Sequence, residues 1–305
     1  MPNTGAENEG GTECDFLCEK SLSKKDPALH RLYQNSVFAI DLLLVGYKNF
    51  FPFFTNHTFE HSAQVINYCN IIAGEEIVSR LNPDEIYILL MGAALHDIGM
   101  GISEEDFLQF CGDVPGFAAY REEHPNEKTA EYIRNFHQEF SAQFIKKYSA
   151  VFEIPSKEYV YCIMQVARGH RKAELLDRNR YPEDYPLPNG NKVNLAYLAA
   201  LVRLADELDV TADRNLLFDY SQTNREWSPM QTMCFKCHGA IKSMRVRDGA
   251  VVLLYDTQEA SVEEEIMQTR SKVERTFCEY RQVVEKRTAF SNALCQVRFE
   301  KVGPG

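Results

Sequence analysis

The stretch from Ile86 to Leu95 limits the fold of this chain more than any other, because it has almost no polar face and ends in the adjacent pair His96-Asp97. Asn82, Pro83, Asp84 and Glu85 supply a helix start: a side-chain cap, a proline at the first helical position and acids in the first turn. Gly99 supplies a stop. Between them Ile86, Ile88, Leu89, Leu90, Met91, Ala93, Ala94 and Leu95 predict a helix buried on all sides. An imidazole and a carboxylate at its buried end are costly unless paired, hydrogen-bonded or bound to a cation. For the dipeptide alone, a hydrogen-bonded His–Asp pair at a helix end is explanation enough.

The rest of the chain adds further polar groups in equally costly places. A helix from Phe59 carries His61, Val65, Tyr68, Cys69 and Ile72 at spacings of three and four, so His61 faces inward. His124, before Pro125, opens a helix running through Ile133 and Phe136, with a second amphipathic stretch through Phe140, Phe144 and Ile145. Ser156 caps a helix that ends at Gly169, and His170 follows that stop at once. From Asn194 to Leu208 a helix carries Leu195, Leu198, Ala199, Val202, Asp206 and Asp209 on one face, so Asp206 continues an apolar stripe. Leu29 to Leu44 is a first helix, Gly101 to Tyr120 a connector long enough for a functional loop, and Arg171 to Lys192 a turn-rich ordered loop.

Composition shifts after Trp227. Met233 to Val246 and Ala250 to Asp256 read as extended around an Asp248-Gly249 hairpin turn, followed by a long polar helix from Gln258 to Ala293 and a strand from Leu294 to Val302. The expected organisation is therefore a flexible tail over 1–25, a helical domain over 26–225 and a small α+β appendage over 226–305.

At 305 residues and 45% hydrophobic content the chain can bury a large core, and its net charge of −11 excludes a protein that coats duplex nucleic acid. Residues 1–20 lack the basic and apolar regions of a signal peptide, and no apolar run approaches a membrane span, so a cytoplasmic protein with no membrane partner is expected. Nine scattered cysteines fit reduced thiols. Cys234, Cys237 and His238 match a haem-attachment pattern, but haem attachment requires export and ordinary thiols are the favoured reading.

Four histidines and two aspartates thus stand at helix ends or on inward faces: His61, His96, Asp97, His124, His170 and Asp206. Imidazole and carboxylate suit first-row divalent metals, and six such groups exceed what one tetrahedral zinc needs. On these residues the chain resembles the HD-domain metal-dependent phosphohydrolase superfamily over about residues 30 to 215. His61 in NHTFEHSAQV matches the first histidine, His96-Asp97 in ALHDIGM the doublet, and Asp206 in LVRLADELD the last ligand. His124 in REEHPNEKTAEYI and His170 in ARGHR look like the extra ligands of the binuclear branch. Met100 stands where many binuclear members have lysine, and no GYP signature follows His124, so the match is not to the HD-GYP enzymes. The flanking sequence looks more like an HD subfamily sometimes joined to ATPase or signalling modules.

The resemblance implies a mainly α fold, an HD-type helical bundle with the α+β segment behind it. It also implies two divalent transition metals, with manganese, iron or nickel favoured over zinc or magnesium, and Asp97 as bridge. Asp97 and His124 would be the catalytic residues. Such a centre would hold a bridging hydroxide and cleave a nucleotide phosphoester. The six-ligand set leans toward a cyclic nucleotide or oligonucleotide phosphodiester; the alternatives are a deoxynucleotide triphosphohydrolase, a nucleotide phosphatase and a non-catalytic nucleotide sensor that regulates a partner. Arg121, Lys128, Arg168 and Arg171 flank two proposed ligands and are candidates for substrate phosphate. The C-terminal segment is the candidate surface for a second copy or a signalling partner.

Overall fold

The computed structural model describes residues 16–51, 58–212, 229–291 and 294–303. The first fifteen residues of the expected tail, part of the aromatic run after Phe51 and the composition shift at Trp227 lie outside them.

The architecture is mainly α. Helices α1 (Leu17–Lys25), α2 (Pro27–Leu44), α3 (Phe59–Arg80), α7 (Thr129–Lys147), α8 (Lys157–Gly169) and α9 (Leu195–Leu208) surround the central α4 (Pro83–Leu95) or each other. Short helices α5 (Glu104–Phe110) and α6 (Phe117–Glu123) fill the expected connector. In α4 the Asn82 side chain accepts from the Glu85 amide while the Glu85 carboxylate accepts from the Asn82 amide, so both ends of a capping box are present. Every residue from Ile86 to Leu95 is buried. Each large aliphatic side chain withdrawn from water there stabilises the fold by about 1.5–3 kcal/mol.

Cys18 and Leu22 of α1 are buried, so residues 17–25 belong to the helical body rather than to a tail. The ammonium of Lys25 closes the contact by donating to the carbonyls of Ser79 (2.9 Å) and Leu81 (2.5 Å). His124 does not open α7. Its backbone (φ −124°, ψ 54°) closes α6, because a following proline disfavours the helical region for the residue before it.

Past α9, Pro229–Ala240 forms helix α10 where an extended segment was expected. Its buried Cys237 and Ala240 lie three apart, one helical face rather than alternation. Strands β3 (Ile241–Arg247) and β4 (Ala250–Tyr255) form the expected hairpin, with Asp248 and Gly249 both at positive φ, and β5 (Gln296–Lys301) joins β4 in parallel. Helix α11 (Ala260–Arg287) packs along α9 and against β5. Two ion pairs run along the α9 contact, Arg203–Glu279 and Lys272–Glu207, each at 2.9 Å. The buried Arg287 donates to Glu183 (2.5 Å) and to the carbonyls of Leu176 and Tyr181, tying α11 to the loop after His170. That loop carries the two-residue strands β1 (Tyr185–Pro186) and β2 (Lys192–Val193). Among the described residues no single helix is long and apolar enough to cross a membrane.

Candidate metal centre

Five segments deliver side chains to one point in the bundle. His61 comes from the first turn of α3, His96 from the C-cap of α4, Asp97 from the turn after it, His170 from the C-cap of α8, and Asp206 from the last turn of α9. The fifth segment is the middle of α7, which supplies His137.

Close packing at the turn after α4 brings α7 into place. A Cβ on Gly99 would lie 2.2 Å from the His137 carbonyl oxygen and 2.6 Å from the Ser141 amide nitrogen. In the space a side chain would fill, the Gly99 N–H donates to Ser141 Oγ (2.9 Å), whose hydroxyl donates to the His96 carbonyl (2.6 Å). Helix α4 has already ended at Leu95, so Gly99 serves close approach rather than chain termination.

Asp97 sits between two sets of imidazoles. Its Oδ2 lies 3.6 Å from His61 Nε2 and 3.5 Å from His96 Nε2. Its Oδ1 lies 3.4 Å from His137 Nε2 and 3.6 Å from His170 Nε2. Asp206 Oδ1 completes the first set, 3.3 Å from His61 and 3.7 Å from His96. The donors therefore form two groups that could each hold a metal ion, His61, His96 and Asp206 in one and Asp97, His137 and His170 in the other. The Asp206 side chain is one-fifth exposed whereas the imidazoles are buried, which places the opening of the site beside α9.

The ring tautomers follow from the outer nitrogens. Nδ1 of His96, His137 and His170 contacts the carbonyl oxygens of Ala93 (2.7 Å), Arg134 (2.7 Å) and Ala167 (2.5 Å). A carbonyl only accepts, so each Nδ1 carries a proton, and the neutral rings of His137 and His170 turn a bare Nε2 inward. His137 Nε2 and His170 Nε2 are 3.0 Å apart. Two lone pairs at that separation repel each other unless a cation lies against both, so this donor set fits a metal.

Electrostatics agree. Burial lowers the pKa of His137, and burial together with neighbouring His96 and His137 holds His170 well below the ordinary histidine range. Both are neutral, as ligands must be. Burial also pulls on His96, but the carboxylates of Asp97 and Asp206 overcome it and raise His96 to about 9. Burial opposes ionisation of Asp206, yet the imidazoles of His61 and His96 keep it well below the usual carboxylate value. The centre thus attracts positive charge, by default a proton on His96.

Of the six residues singled out from sequence, five converge and His124 does not. Its side chain is 44% exposed, stacked on the Tyr120 ring at 4.2 Å between centroids, with Glu127 at 3.8 Å. His137 takes the expected place. The signal was available, since Ile133, His137, Phe140 and Phe144 recur on one helix face as His61 does with Val65 and Tyr68. Asp209, on the predicted apolar face but given no role, accepts from His61 Nδ1 at 2.6 Å. Of the four basic candidates for substrate phosphate, Arg168 is paired with Glu139 at 2.9 Å, and Arg121 and Lys128 flank the exposed His124. Arg171 is exposed beside His170 and acts electrostatically on His137. Cys234 and His238 lie one turn apart on α10, sulfur to nitrogen 3.8 Å, with Cys237 buried.

A sequence comparison with curated proteins finds no match. A family model described as HD-CE matches residues 51–267, more than half of the chain, crossing residue 225 and including all six converging residues. This chain belongs to the HD-CE family, an HD-type domain.

Proposed function

We propose that this protein is a binuclear metal-dependent phosphohydrolase that cleaves a nucleotide phosphoester, with a cyclic nucleotide or oligonucleotide phosphodiester as its substrate class. One observation carries the reading: each oxygen of a single buried carboxylate, Asp97, faces its own pair of imidazole nitrogens. His61, His96, Asp206 and Asp97 Oδ2 would hold one divalent ion, and His137, His170 and Asp97 Oδ1 the other. Bound there, the metals would supply Lewis acidity and a nucleophilic hydroxide at neutral pH.

The protein's own groups do the rest. The backbone carbonyls on His96, His137 and His170 fix ring orientation, so the inward nitrogens need no rearrangement on loading. Asp97 ties the two sets into one unit, and the buried walls of α4 and α9 exclude bulk water. Arg171, exposed beside His170, would offer a forked donor set to phosphate oxygens in a chain that is otherwise acidic.

The test is a panel of cyclic nucleotides, cyclic dinucleotides, short oligonucleotides, deoxynucleoside triphosphates and nucleoside monophosphates, each with manganese, iron or nickel, resolved by product. Asp97→Ala is expected to lose metal and to drop turnover below detection. Wild-type turnover in that variant would overturn the assignment, and nucleotide binding without product in metal-replete protein would point instead to a sensor.

A further inference from the structure

The two halves of the centre carry unequal charge. Three of the four imidazoles rest their outer nitrogen on a neutral backbone carbonyl. His61 rests on the carboxylate of Asp209, buried to 1% exposure, at 2.6 Å. A carboxylate behind an imidazole makes its inward nitrogen a stronger donor and fixes the ring. The same half also holds Asp206 within 3.3 Å of His61, whereas among the described residues the carboxylate grouped with His137 and His170 is Asp97, and His137 also feels the guanidinium of Arg171. Both extra carboxylates come from the end of α9, Asp206 in its last turn and Asp209 at its C-cap, where the Asp209 N–H donates to the Asp206 carbonyl.

We propose that Asp209 is a positioning residue that makes the His61–His96–Asp206 half the tighter metal site, so that this half fills first and the His137–His170 half fills second. The proposal rests on the two-metal reading above. It assigns Asp209 no contact with substrate: it acts only through His61.

Titration of the metal-stripped full-length chain with cobalt(II), followed by visible absorption and by competition with a chelator of known affinity, tests it. Wild type is expected to bind in two steps separated by at least tenfold. Asp209→Asn should weaken the first step by about 10- to 100-fold and leave the second where it was. Asp209→Glu, which keeps the carboxylate, should recover most of that loss. Equal weakening of both steps, or none, overturns the role of Asp209. Should Asp209→Asn fail to fold, His170→Ala decides: it should abolish the weaker step and preserve the tighter one, and loss of the tighter step overturns the filling order. A wild-type chain that takes up no cobalt defeats the two-metal reading itself, whereas two bound ions with an indifferent Asp209→Asn defeat this inference alone.

Discussion

Helix α4 has a buried aspartate at each end, Asp84 at its start and Asp97 just past its finish, and the two meet opposite surroundings. Asp84 is enclosed by neutral hydrogen-bond donors: the Tyr159 hydroxyl, Asn189 Nδ2 at 3.1 Å and Asn191 Nδ2 at 2.6 Å. It pins the loop between α8 and α9 onto the helix start. Asp97 faces four imidazole nitrogens at 3.4 to 3.6 Å, and in three of those rings the proton is held on the far side by a carbonyl. A buried carboxylate surrounded by neutral N–H and O–H donors is a structural fastener; one surrounded by imidazoles whose outer protons are already taken up by backbone carbonyls is half of a cation site.

Removing either end should therefore fail in a different way. Asp84→Ala is expected to cost about 2–4 kcal/mol of stability, because it strands buried donors. Denaturant midpoints will read that loss, while metal content per folded chain stays at the wild-type value. If metal content falls with Asp84, the two ends are not independent.

Gly99→Ala sharpens the other end. The added methyl would collide with the His137 carbonyl, so α7 must retreat, at about 1–3 kcal/mol and with loss of the metal held by His137 and His170. Retention of full metal content in this variant would show that α7 can shift without moving His137.

The pH dependence of loading is a smaller lever. His96 is raised to about 9 in the metal-free centre, so at lower pH the incoming ion must expel a proton. Apparent affinity should fall by up to tenfold per unit from about pH 9 to pH 7, measured by competition titration. A flat profile over that window would mean that Asp97 and Asp206 do not hold a proton on His96. The smallest effect belongs to His124. Because its ring lies on the surface against Tyr120, His124→Ala should change stability by less than about 0.5 kcal/mol and leave metal content intact, whereas His137→Ala should lose an ion.

Much of the site was legible because its residues break the local pattern. His61 and Asp206 interrupt apolar helix faces, His96-Asp97 ends a helix with no polar side, and His170 follows a helix stop. His137 breaks its own helix face in the same manner, whereas His124 is marked only by the proline beside it. Proline rules speak about backbone angles, and here Pro125 closes α6 instead of opening α7. Helix α10 is hard to see in the sequence for a related reason: with only two buried side chains, its residues carry little periodic signal.

What the chain determined by itself is what depends on near neighbours: the caps at Asn82, Ser156 and Asn194, the Asp248-Gly249 turn, and the all-round burial of α4. Those are fixed by hydrogen bonds and side-chain periodicity within one or two turns. The partners of the buried polar groups were decided only in three dimensions. Which histidine faces Asp97, that Asp209 stands behind His61, and that Gly99 is small for the sake of α7 all depend on contacts between residues far apart in sequence, set by how the helices pack.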